Sequence, residues 1–258
     1  MTAYHAQRDP GDPPHIIAHR GISAKAPENT LAAFRPAVEH PGIAMIELDV
    51  RISRDGIPVV IHDRTLQRTS TGNGAVRNYS VDELKSFDAG SWFHRSFAGE
   101  RIPTLREVLT LARNKCWVNI ELKGDLFFRA HDLFVRNVIN VVAELEMQSQ
   151  VLYSSFAHEL LATVRHIEPS VPTGVIYNFY RDFGRSPSKL AHRVGASVFV
   201  CARRELRKAM IRDARQHSLA LYIYTLNSVR DAQKMQELGI DGIISDNADD
   251  IAAVVRPA

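Results

Sequence analysis

Four short segments put ionisable groups at the ends of apolar runs that read as β-strands: His19-Arg20-Gly21, Glu47-Leu48-Asp49, His62-Asp63 and Glu121-Leu122-Lys123. Glu47, Asp49 and Glu121 supply three carboxylates, His19 and His62 two imidazoles, and Arg20 and Lys123 two cations. Three carboxylates completed by water suit a hard divalent cation, Mg²⁺ or Ca²⁺. A set rich in carboxylates and without cysteine argues against structural zinc. Such a cation polarises a phosphoryl oxygen. Arg20 offers a planar fork to a phosphate and Lys123 a point charge. Two histidines exchange protons near neutral pH. Each segment alone has an ordinary reading: a polar turn, a solvated pair, a simple salt bridge. The case rests on all four recurring at strand ends.

These groups meet only if the elements beneath them converge. Strand side chains alternate in direction, so Glu47 and Asp49 share one face, as do Glu121 and Lys123. Short apolar runs alternate with amphipathic segments, which argues for βαβ units and a parallel sheet. The candidate strands are Ile16–His19, Ala44–Val50, Trp117–Leu122, Val151–Phe156, Gly174–Tyr177, Ser197–Cys201, Ala220–Thr225 and Gly242–Ser245. Eight strands are what a closed (β/α)8 TIM barrel needs, and its active site sits at the strand C-termini. The expected domain is a single barrel over 15–258, behind a flexible leader over 1–14.

Helices are expected between the strands. Leu31, Phe34 and Val38 form one apolar face behind an Asn29 N-cap, with Pro36 a potential kink. Thr104 and Glu107, and Ser80 and Glu83, have capping-box spacing. Phe127 to Met147 reads as a long amphipathic helix, and Ser228 caps one that ends before Gly239. Two segments break the alternation. Ile57–His62 is strand-like, but too close to the strand before it for a parallel crossover. With the hairpin signal Asp55-Gly56, it reads as an antiparallel ribbon that returns His62 over Glu47 and Asp49. The stretch over about 64–103, after the second strand, reads as an insertion with its own packing, forming a lid or pocket wall.

Composition narrows the class. The chain has 258 residues, 45% hydrophobic and 24% charged, which reads as soluble and globular. A net charge of +3 is too balanced for a nucleic-acid footprint. No apolar run approaches the ~20 residues that span a bilayer, and the N-terminus lacks a signal-peptide apolar region. A cytoplasmic location without stable membrane association is expected. Cys116 and Cys201 read as buried reduced thiols.

In this order, the motifs resemble the glycerophosphodiester phosphodiesterase family, in its bacterial cytosolic form. They are Ala18-His19-Arg20-Gly21, Ala26-Pro27-Glu28-Asn29-Thr30, Ile46-Glu47-Leu48-Asp49-Val50, Asp55-Gly56 through His62-Asp63, Glu121-Leu122-Lys123, Ser154-Ser155-Phe156, Tyr224-Thr225-Leu226-Asn227 and Asp241 through Asp246. The likeness spans about residues 15–253, and Arg68-Thr69-Ser70 through Trp92 resembles the family's insertion. It implies a phospholipase-C-like barrel that hydrolyses glycerophosphodiesters to sn-glycerol 3-phosphate and an alcohol. It implies Glu47, Asp49 and Glu121 as ligands of one divalent cation, Mg²⁺ or Ca²⁺. It implies His19 and His62 as the acid–base pair, read here with His19 as base and His62 as acid. Arg20 and Lys123 would bind the phosphate, and Phe156 and Tyr224 would line the alcohol pocket. The partner is a small diester, and the assembly a monomer or homodimer. Tyr224 stands where many members have tryptophan, and Gly124 and Asn247 where proline is frequent. Two further readings stand beside it: a phospholipase D-like action on lysophospholipids, and a non-catalytic phosphate-binding barrel. Arg181, Arg185, Arg203 and Arg204, at the expected mouth, suggest a preference for alcohols that carry a second anion.

Overall fold

The computed structural model describes residues 6–7, 12–124 and 131–255. Among the described residues there are nine strands: β1 (His15–His19), β2 (Met45–Ile52), β3 (Pro58–Val60), β4 (Trp117–Leu122), β5 (Val151–Ser155), β6 (Thr173–Ile176), β7 (Val198–Ala202), β8 (Ala220–Tyr224) and β9 (Gly242–Ser245). All except β3 run parallel, in the order β1-β9-β8-β7-β6-β5-β4-β2, and a β1–β2 pairing closes the ring. The fold is the expected (β/α)8 barrel. Its helices are α1 (Leu31–Glu39), α2 (Val81–Ser86), α3 (Leu105–Ala112), α4 (His131–Glu144), α5 (His158–Ile167), α6 (Phe179–Asp182), α7 (Pro187–Val194), α8 (Lys208–Gln216), α9 (Val229–Glu237) and α10 (Ala248–Val255). The helix expected from Phe127 is described from His131, since residues 125–130 lie outside the described residues.

Both faces of the staves are covered, which is why they read as nearly unbroken apolar runs. On β2, Ile46, Leu48 and Val50 face the helix layer and join the main core. Met45 faces inward, where it packs with Ile17, Leu152, Val198, Val200, Tyr222 and Ile244 in the barrel interior. Ala6 closes the base of this inner core, its carbonyl accepting a hydrogen bond from Tyr222 Oη at 3.1 Å. Glu47 and Asp49 follow Met45 on the inward face, so the interior turns from apolar to charged toward the C-terminal ends.

Helix starts follow the expected chemistry at Ser80, Thr104 and Ser228, the first two as full capping boxes. The first helix departs from it. Its N-cap is Thr30, whose side chain accepts from Ala33 N. Asn29 lies one residue earlier in the left-handed region (φ +59°), with its carboxamide turned into the barrel. Asparagine tolerates that conformation better than most residues. Pro36 lies within α1, and the helix continues past it to Glu39.

β3 is the expected ribbon, antiparallel to β2 with Val60 opposite Val50. Ile61 N donates to Asp49 O at 2.9 Å, which carries His62 back over the strand end. The insertion that follows has its own core of Leu66, Val76, Leu84, Ala89 and Ile102, packed on Val59 and Ile61 of the ribbon. Among the described residues, no helix is long and apolar enough to cross a membrane. Both cysteines are free and buried.

Candidate active site

Strand register assembles the carboxylates. The β1–β2 pairing sets His19 opposite Glu47, and the β2–β4 pairing sets Asp49 opposite Glu121. Ligand oxygens of Glu47, Asp49 and Glu121 all lie within 4.8 Å of one another. All three residues are buried.

The His-Arg-Gly turn fixes a fourth corner. Arg20 (φ +57°) and Gly21 (φ +84°) both take left-handed backbone. A Cβ on Gly21 would lie 2.5 Å from the Ala33 carbonyl carbon, so only glycine fits against the start of α1. The turn aims Arg20 N at Glu47 Oε2 (3.1 Å) and the guanidinium at Asp49 Oδ2 (3.1 Å) and Glu28 Oε1 (2.8 Å).

Charge is unevenly shared within the cluster. Burial alone would raise the Asp49 pKa, but Lys123 and Arg20 outweigh it and hold the carboxyl far below the usual range. Asn29 Nδ2 also donates to Asp49 Oδ2 at 2.8 Å. Glu47 goes the other way. Burial, and then the negative charge of Asp49, push it up to about 8. Lys123 pairs with Glu121 and lies 2.8 Å from Asp49 Oδ1. That second contact is an ion pair without hydrogen-bond geometry, and Oδ1 has no hydrogen-bond partner among the described residues. Three buried carboxylates whose oxygens converge, one of them with an unsatisfied oxygen, fit an oxygen-preferring divalent cation.

Each histidine is backed by a carboxylate. His19 Nδ1 lies 2.6 Å from Asp246 Oδ1, and Asp246 is fixed by Ser23 Oγ (3.0 Å) and Asn227 Nδ2 (2.7 Å). His62 Nδ1 lies 2.6 Å from Asp63 Oδ1. An ionised carboxylate only accepts, so each Nδ1 carries the proton and Nε2 is the atom left for chemistry. Burial disfavours the charged His19, but the Asp246 hydrogen bond and the Glu47 charge outweigh it and raise its pKa. Burial and Lys123 lower that of His62.

The two expected pocket aromatics meet edge to face, with Phe156 and Tyr224 ring centroids 6.4 Å apart, and both pack on the inner barrel core. Two of the mouth arginines are committed within the protein. Arg181 donates to the Phe156 carbonyl and Arg185 pairs with Asp182 at 3.3 Å, whereas Arg204 is exposed.

Sequence reasoning brought the nine proposed residues to one end of the barrel but missed their supports. The sequence offers Asn29 only as a helix cap and gives Glu28, Asp63, Arg68 and Asp246 no individual role. Glu28, Asn29, Asp63 and Asp246 fall inside the motif segments. Asn29 meets Asp49 across 20 residues, Arg68 meets Glu28 across 40 and Asp246 meets His19 across 227, so no local spacing reveals those pairings.

The family model of the glycerophosphoryl diester phosphodiesterase family matches residues 19–250. The chain belongs to that family. A glycerophosphodiester phosphodiesterase of Caldanaerobacter subterraneus is 36% identical over 242 residues, covering 93% of this chain and 97% of the relative. A solved phosphodiesterase of Oleispira antarctica, in complex with the product sn-glycerol 3-phosphate, superposes with a TM-score of 0.87. Its identity is 28%, with 94% of this chain and 97% of that one covered. A glycerophosphodiester phosphodiesterase structure from Agrobacterium tumefaciens gives a TM-score of 0.80 at 32% identity, covering 93% of this chain and all 100% of that one. As a member of this family, the chain is a hydrolase of phosphoric diesters.

Proposed function

We propose that this chain hydrolyses glycerophosphodiesters to sn-glycerol 3-phosphate and an alcohol, with Glu47, Asp49 and Glu121 holding one divalent cation and His19 and His62 moving the protons. The observation that carries this reading is the buried carboxylate trio at the barrel mouth, flanked by two histidine–carboxylate pairs. The product bound to the Oleispira antarctica relative supports the choice of substrate.

Bound to the trio, Mg²⁺ or Ca²⁺ would supply Lewis-acid polarisation of a phosphoryl oxygen. Arg20 and Lys123 would hold the phosphate. Their present partners, Asp49, Glu28 and Glu121, keep both cations aimed into the site before substrate arrives. Hydrolysis adds a water oxygen to phosphorus and breaks the bond to the alcohol oxygen. One imidazole Nε2 takes the proton of water, and the other gives a proton to the departing alkoxide. Phe156 and Tyr224 would form the apolar wall of the alcohol pocket. The buried free thiols suit a cytoplasmic enzyme.

The test is release of glycerol 3-phosphate from glycerophosphocholine, with EDTA and with added Mg²⁺ or Ca²⁺. Turnover should require metal, and Glu47→Gln should remove the metal response. His19→Ala should lower kcat/KM by about 10²–10⁴-fold. Metal-independent turnover, or full activity in either variant, would sink the proposal.

A further inference from the structure

Arg68 lies in the insertion, on a loop held at both ends. Leu66 is fully buried in the insertion core and its N–H donates to Gly74 O at 3.0 Å. Thr69 is buried, and Ser70 Oγ donates to Leu66 O at 2.8 Å. From this support the guanidinium makes four hydrogen bonds to two carboxylates. Nε and Nη2 reach Asp63 at 2.7 and 3.2 Å. Nη1 and Nη2 reach Glu28 at 2.8 Å each. Asp63 is the carboxylate behind His62, and Glu28 is the one behind Arg20. An unbroken chain of polar contacts therefore runs His62–Asp63–Arg68–Glu28–Arg20–Asp49.

We propose that Arg68 is a positioning residue for both halves of the site: one guanidinium fixes the orientation of His62 through Asp63 and of Arg20 through Glu28. The inference rests on the phosphodiesterase reading and gives the insertion a task beyond walling the pocket. A planar fork gives each carboxylate two hydrogen bonds in fixed orientation, which the point charge of an ammonium cannot reproduce. The two arms also separate kinetically. The His62 arm acts on proton transfer, hence on kcat. The Arg20 arm acts on holding the phosphate, hence mainly on KM.

The experiment compares Arg68→Ala, Arg68→Lys, Asp63→Asn and Glu28→Gln with the full-length wild type in glycerophosphocholine turnover at saturating metal. Arg68→Ala should lose about 10–100-fold in kcat/KM, the usual effect of removing a group that orients a ligand or base. Asp63→Asn should lower kcat with little change in KM, and Glu28→Gln should raise KM. Arg68→Ala should show both changes, and Arg68→Lys should restore only one. The double variant Arg68→Ala/Glu28→Gln should raise KM no further than the larger single change. A merely structural role would instead reduce the folded, active fraction, lowering kcat at unchanged KM. That pattern, or wild-type kinetics in Arg68→Ala, overturns the inference.

A second readout does not depend on turnover. The His62 Nδ1–H proton, assigned by its loss in His62→Ala, should give a slowly exchanging downfield NMR resonance in the wild type that broadens away in Arg68→Ala. If the wild type fails to turn over the diester, the functional reading fails. The resonance still decides the clamp, and an unchanged resonance in Arg68→Ala rejects it.

Discussion

Burial and the adjacent charge of Asp49 hold the Glu47 proton up to about 8, against 4.5 for the free side chain. A carboxyl whose pKa is raised by folding binds a proton that the unfolded chain releases. Stability of the metal-free protein therefore falls as pH climbs from 4.5 through about 8. A divalent cation would take the place of that proton, so the stabilisation it gives should grow over the same window. Melting temperatures in EDTA and in Mg²⁺ or Ca²⁺, at several pH values across that window, should diverge as pH rises. Glu47→Gln should flatten the metal-free curve. A gap that stays constant or narrows with pH would show that Glu47 is not the group that exchanges its proton for metal.

At the scale of elements, the site depends on turns more than on strands. The β1–α1 turn holds left-handed backbone at Arg20, Gly21 and Asn29, and each has a task there. Arg20 pairs with Asp49, Gly21 permits contact with Ala33, and Asn29 holds Asp49. Gly21→Ala must accept a strained φ, which costs about 1–3 kcal/mol, in addition to the clash with Ala33. Urea denaturation should show at least that loss, and activity should fall because Arg20 moves with the turn. A stable, fully active Gly21→Ala would mean the turn can relax without disturbing the site. The same turn explains the misread helix start. Asn and Thr are both good caps, and propensity does not distinguish them. What decides is that Asp49 needs a buried donor, which only the folded barrel presents.

For the whole molecule, ring closure is the event that builds the centre. His19 and Asp246 are 227 residues apart in sequence and meet because β1 pairs with β9. Asp246 is held down at about 2: burial raises its pKa, but His19, Asn227 and Ser23 outweigh it. Asp63 is also held at about 2, first by Arg68. For a carboxyl lowered by folding, the contribution is full above the unfolded value of 3.8 and is lost as pH falls through about 2. Denaturant midpoints should therefore drop between those limits, and Asp246→Asn should make the drop shallower. An acid limb of the same steepness in that variant would count against the His19–Asp246 pair as a source of stability.

The sequence by itself determined the staves, the ribbon and the rank of polar groups at their ends. Both faces of a barrel strand are buried, so apolar runs announce strands, and a charged residue at a run's end has no apolar layer to join. Alternation then fixed which side chains share a face, as for Glu47 and Asp49. It did not determine what holds those groups. Asn29 on Asp49, Asp246 behind His19 and Arg68 between Asp63 and Glu28 are pairings across 20, 227, 5 and 40 residues. Periodicity carries no information at most of those separations, and in the loop that links Arg68 to Asp63 there is no regular repeat to read. Only closure of the ring, with the insertion packed on its ribbon, brings these partners within hydrogen-bond reach.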